Sequence, residues 1–164
     1  MSTYHSRSTY QSRGAHRRAV QQWLAQIDFE LFVTLAFPHN VGIGRARQTL
    51  RHWFACVDSY YLGKNWNRRP WDERTSAIAF PENIISNLHY HCLLRLPESA
   101  QGQTPLQQCR ILARYWTKAV PRGTCEGRSI GDRRRAVRYA TKQLVKPGYE
   151  DKFILASEFH LDRN

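Results

Sequence analysis

The chain has 164 residues and carries 25 Lys and Arg against 13 Asp and Glu, a formal net charge of +12. That length suits one ordinary domain, and 41% hydrophobic residues supply a core, which excludes a purely disordered basic tail. No apolar run approaches the roughly 18–20 residues of a membrane span, and a polyanion, nucleic acid ahead of membrane, is the partner this charge fits.

Residues 1–14 are rich in Ser, Tyr and Arg without periodicity and are expected as a mobile basic arm, with 15–164 as a single domain. The spacing of Val20, Trp23, Leu24 and Ile27 predicts a helix over 16–27 that buries this face. The β-branched and aromatic run from Glu30 to Phe37, ended by Pro38, reads as a buried central strand. A helix is expected over 45–62, with Leu50, Trp53, Phe54, Val57 and Tyr61 inward and Gly63 as its stop. Residues 64–74 form a polar loop whose Trp66, Trp71, Arg68 and Arg69 suit base stacking and phosphate contact. Two strands follow, Thr75–Glu82 and Leu88–Leu96, close enough to form an antiparallel hairpin.

Thr104-Pro-Leu-Gln107 is a capping box with proline at the first helical position, so a helix begins there and stops before Pro121. Its inward residues are expected to be Leu106, Cys109, Leu112, Tyr115 and Trp116. Asp132 can cap a further helix reaching about Val145, and Phe153–Phe159 reads as a last strand. The element order predicts an α+β fold on an antiparallel sheet. Four scattered cysteines, with no CxxC pair, argue against a zinc finger and for buried free thiols.

The segment His89-Tyr90-His91 carries the most chemistry. Alternation along a strand puts both imidazoles on one face, roughly 7 Å apart, while Tyr90, Cys92, Leu94 and Leu96 form an apolar opposite face. Two imidazoles so placed can grip a divalent ion, and in the hairpin Glu82 lies close to His89, completing a mixed N/O site suited to Mg²⁺ or Mn²⁺. Further on, Tyr139, Lys142, Gln143 and Lys146 share one helical face, beside a buried stripe of Val137, Ala140, Thr141 and Leu144. A phenol titrates near ~10, so an adjacent cation and a charge-neutralised phosphate both favour its attack on phosphorus. The basic run Arg133-Arg134-Arg135, with Arg138, would strengthen a grip on a nucleic-acid backbone.

Together Phe32-Val-Thr-Leu-Ala-Phe37, His89-Tyr90-His91 and Tyr139-Ala-Thr-Lys142 resemble, in order, the three motifs of the HUH endonucleases. The similarity is closest to single-tyrosine rolling-circle replication initiators and spans about residues 30–146. It implies a ferredoxin-like or RRM-like antiparallel sheet of about five strands, with helices on one face and a nucleophile-bearing helix over the other. It further implies metal-dependent nicking and joining of single-stranded DNA, at an origin sequence or stem-loop, through a 5′-phosphotyrosine link. Tyr139 would be the nucleophile, Lys142 would orient or neutralise the phosphate, and His89, His91 and Glu82 would hold Mg²⁺ or Mn²⁺. Gln143 is the alternative third ligand, because Tyr139 to Gln143 also fits the YxxxQ pattern of related single-strand transposases. DNA contacts would come from Thr34, Arg68, Arg69, Arg95, Arg133, Arg134, Arg135, Arg138 and Lys146. Ala36 stands where family members often carry a polar residue.

A transposase or relaxase, and a noncatalytic single-stranded nucleic-acid-binding module, are the other readings. No GxxxxGK[ST] motif is present, so no helicase lies in this chain; one supplied in trans and a longer initiator of which this is a domain are both open. A cytoplasmic setting, bacterial or on a plasmid or phage, fits the resemblance.

Overall fold

A computed structural model describes residues 3–161, with side chains from 12 to 159. Its elements are α1 (Thr3–Leu24), β1 (Leu31–Ala36), α2 (Ile43–Leu62), β2 (Ser76–Glu82), β3 (His89–Arg95), α3 (Pro105–Ala119), β4 (Thr124–Ser129), α4 (Arg133–Ala140), β5 (Ile154–Leu155) and α5 (Glu158–Leu161). The sheet order is β4-β1-β3-β2-β5, and every pairing is antiparallel. Within it, β1-α2-β2-β3-α3-β4 is the ferredoxin-like arrangement, in which β3 returns between β1 and β2.

Alternation sends Leu31, Val33 and Leu35 of β1, with Tyr90, Cys92 and Leu94 of β3, to one face, where α2 and α3 cover them. Trp53 and Trp116 fill that core, their indole N–H groups donating to Leu112 O at 3.1 Å and Ala36 O at 3.2 Å. Thr104 makes the expected capping box with Gln107. Leu106 is exposed, however, because it points out of the first turn, away from the sheet.

The opposite face, which carries His89 and His91, is largely apolar and covered. Phe32, Ile78, Phe80 and Leu93 pack there under Val20 and Leu24 of α1 and Ala136, Val137 and Ala140 of α4. Helices thus lie on both faces, and α1 shares the second with α4. The helix expected over 16–27 begins at Thr3 and ends at Leu24, so residues 3–14 belong to α1 and only Met1 and Ser2 of the expected arm lie outside the described residues. Arg13 is tied to Glu150 at 2.7 Å, and Gln21 donates to Thr141 Oγ1 at 2.9 Å. Trp23 faces outward at the edge of the helix stripe.

Three other expectations change. The helix after Asp132 stops at Ala140, because the buried Thr141 hydroxyl donates back to Val137 O at 2.8 Å, and a 3₁₀ turn carries Lys142–Val145. The final strand shortens to Ile154–Leu155. Glu158 Oε1 accepts from Leu155 N–H at 2.9 Å, and α5 follows. β4 was not foreseen: Thr124-Cys-Glu-Gly-Arg-Ser129 is polar, as an edge strand with one exposed face can be. Gly127 is required there, since a Cβ would stand 2.6 Å from Cys109 Sγ on α3. No helix among the described residues is long and apolar enough to cross a membrane.

Candidate metal and nucleophile site

The second face acquires its chemistry row by row from strand register. Glu82 pairs with His89, which pairs with Ala36, and the next row runs Phe80, His91, Thr34, Glu126. The β2–β3 turn that closes the hairpin uses Asn83 and Asn87 at φ 56° and 53°, left-handed conformations that asparagine tolerates. Register places Glu82 and His89 opposite each other at the mouth of this six-residue turn.

Glu82 Oε2 lies 2.8 Å from His89 Nε2 and 2.6 Å from His91 Nε2. The ligand atoms of the three residues all fall within 4.8 Å of one another, a cluster that could hold a metal ion. Hydrogen-bond chemistry at His89 fits that use. Its Nδ1 faces Asn87 O at 3.1 Å, and a carbonyl can only accept, so Nδ1 carries the proton. Its Nε2 faces the Glu82 carboxylate, where either the ring's own proton or a bound cation lies between the two atoms.

His91 is almost fully buried, and burial lowers its pKa despite the opposing pull of Glu82, which favours the neutral ring that a metal needs. Its Nδ1 meets Thr34 Oγ1 at 3.1 Å, and a hydroxyl can donate or accept as the ring's tautomer requires. Thr34, expected as a DNA contact, thus supports a candidate ligand from behind. Replacing it with valine keeps the shape and removes this partner, so Mn²⁺ affinity should fall about tenfold. Calorimetric titration reads this directly, and an unchanged affinity would show that Thr34 does not hold His91.

Glu82 also gathers the later motif. Lys142 Nζ lies 2.7 Å from Oε1, and Gln143 Nε2 donates to the same atom at 2.8 Å. Burial alone would raise the Glu82 pKa, but hydrogen bonds from Lys142, His91, His89 and Gln143 outweigh it and hold the carboxyl at about 2. Lys142 loses less to burial than it gains from Glu82 and Tyr139, and its pKa is raised. Both candidate third ligands therefore stand at the site, and the buried Gln143 Oε1 has no hydrogen-bond partner among the described residues.

Tyr139, 45% exposed, ends this constellation. Its ring centroid is 5.0 Å from that of His91 and 5.8 Å from that of Phe32, and Lys142 Nζ sits 4.1 Å from its centre. The other tyrosine near the hairpin, Tyr149, accepts from Ile84 N–H at 3.1 Å and braces the turn.

The expected DNA-contacting residues divide. Arg133, Arg134, Arg135 and Arg138 lie exposed on α4 with Tyr139, although Arg133 also pairs with Asp28 at 2.6 Å. Lys146 is exposed just beyond the 3₁₀ turn. Arg95 lies at the other end of β3 from His89, about 20 Å along the strand. There it joins Arg69 around a cavity that Glu30, Asp72, Glu73 and Glu98 also line, and Arg69 pairs with Glu73 at 3.3 Å. Arg68 is exposed in the preceding loop, where Trp71 is also exposed and Trp66 lies beneath the Arg74 guanidinium. These loop residues and Arg95 are not brought to the histidines.

Glu126 and Arg128 on β4, with Asn87 O behind His89, were missed. The alternation of Thr124, Glu126 and Arg128 against Cys125 and Gly127 was the available signal for the strand. No protein-family model matches this chain, and neither the curated proteins nor the solved structures contain a significant match.

Proposed function

We propose that the protein nicks and rejoins single-stranded DNA by metal-dependent tyrosine transesterification, in the manner of a rolling-circle replication initiator. One observation carries the reading. Residues separated by about fifty positions, a Glu-His-His triad and a tyrosine flanked by lysine, converge on one partly covered sheet face, with the Tyr139 ring 5.0 Å from that of a triad histidine.

The donor set of two imidazoles and one carboxylate suits Mg²⁺ or Mn²⁺ held with open positions. Such a cation, when bound, would neutralise and polarise a phosphodiester. The chain's own groups supply the rest. Tyr139 Oη attacks phosphorus and forms a P–O bond while the bond to the 3′ oxygen breaks. The phenol's proton leaves as the 3′ oxygen gains one, so a free 3′-hydroxyl and a 5′-phosphotyrosine result. Lys142, already shared between Glu82 and Tyr139, would offset phosphate charge once Glu82 turns to the cation. Because the ester conserves the bond energy, attack by a 3′-hydroxyl restores the strand without ATP.

The arginines of α4 and the +12 charge favour a polyanionic substrate. Gln143, 2.8 Å from Glu82, keeps open a transposase use of the same chemistry. A noncatalytic binding module is less favoured, since Phe32 and Phe80 on this face are buried under helices rather than offered to bases. Mixed single-stranded oligonucleotides with Mn²⁺ should yield a protein–DNA adduct that survives denaturant and vanishes with EDTA. Binding without any cleavage would favour the module.

A further inference from the structure

Toward the β4 edge of the site, a cavity of about 310 Å³ is lined by Phe32, Thr34, Glu126, Gly127, Arg128 and Tyr139. One wall is the phenol itself. Glu126 is two strand spacings from His91 on the same row, roughly 10 Å, within reach of a nucleotide next to the reacting phosphate. The Arg128 guanidinium, 5.2 Å from the Phe32 ring centre, closes the adjoining side.

Glu126 is out of place for phosphate contact. It is exposed on a face flanked by arginines, in a chain with nearly twice as many cations as acids, and its carboxylate makes no hydrogen bond or ion pair with any described residue. A carboxylate beside a polyanion repels the backbone but can accept hydrogen bonds from a base edge. Guanine presents two adjacent N–H donors on its Watson–Crick edge, a match for two carboxylate oxygens, whereas thymine offers one.

Resting on the nicking reading above, we infer that this cavity is a base-reading subsite. Glu126 selects guanine at the nucleotide flanking the cleaved phosphate, and Arg128 and Tyr139 flank that base.

The test has two arms. In the first, a single-stranded pool randomised on both sides of the cleaved phosphate is reacted with Mn²⁺, and the adducts are sequenced. Wild type should enrich guanine at one flanking position about tenfold over thymine, and Glu126→Ala and Glu126→Gln should reduce that to about twofold or less. Enrichment is scored within each variant, so a change in overall rate does not enter. In the second arm, equilibrium binding in EDTA compares thymidine oligonucleotides with and without a single guanine, and the same preference and the same loss are expected. If wild type forms no adduct, the nicking reading fails and the binding arm alone decides the subsite. A wild type without guanine preference in either arm, or a preference that Glu126→Ala retains, overturns the inference.

Discussion

Tyr139→Phe is expected to reduce covalent adduct formation by at least ~10³-fold, the scale seen when a nucleophile is removed. The substitution deletes one hydroxyl and keeps the ring against Phe32, His91 and Lys142, so the fold and the metal site should persist. A denaturing gel reads the adduct, and a thermal melt within ~2 °C of wild type checks integrity. A variant that still formed adduct would move the nucleophile elsewhere. Tyr149 is poorly placed for that role, because its hydroxyl braces the Ile84 backbone.

Glu82→Gln carries the second large effect. The side chain keeps its size but loses the charge that faces both imidazoles and Lys142. Mn²⁺ at 100 times the wild-type dissociation constant should stabilise wild type by about 2.7 kcal/mol, roughly 5–10 °C for a domain of this size. With affinity lowered ~100-fold, the variant should gain only about 0.4 kcal/mol at the same concentration. Differential scanning fluorimetry separates these outcomes. A full shift in the variant would mean that the cation sits elsewhere, and adduct yield should fall with the lost shift.

The sheet face that carries this chemistry was only partly readable from residue order. Strand alternation at His89-Tyr90-His91 and the hairpin spacing to Glu82 sufficed for the triad, because register is a local consequence of the pleat and a short turn. The helical spacing from Tyr139 to Gln143 put those side chains together, although the helix stops at Ala140 and a 3₁₀ turn delivers Lys142 and Gln143. Periodicity marked the buried stripes of both covering helices but not which face of the sheet α1 would take. The α1 sequence is polar along much of its length, and among its described side chains Val20 and Leu24 are the buried ones that share a cluster with Phe32 and Leu93.

β4 escaped for a related reason. Its inward positions are Cys125 and Gly127, chosen for the close approach of α3 rather than for apolar bulk. With β4 unseen, neither Glu126 nor Arg128 could be placed beside the site. The Arg68-Arg69 loop illustrates the converse. Its composition suited nucleic acid, yet the chain direction of α2 carries it to the far end of β3, where acidic neighbours surround it.

The most direct measurement is peptide mapping of the adduct. Trypsin cleaves after Arg138 and Lys142, which isolates Tyr139-Ala-Thr-Lys142. After reaction with single-stranded DNA and Mn²⁺, nuclease trimming and mass spectrometry, that peptide should carry a nucleotide joined through its 5′ phosphate to tyrosine. Cleaved DNA with a free 5′ phosphate and an unmodified peptide would mean that water, not Tyr139, attacks, and would contradict the transesterification mechanism.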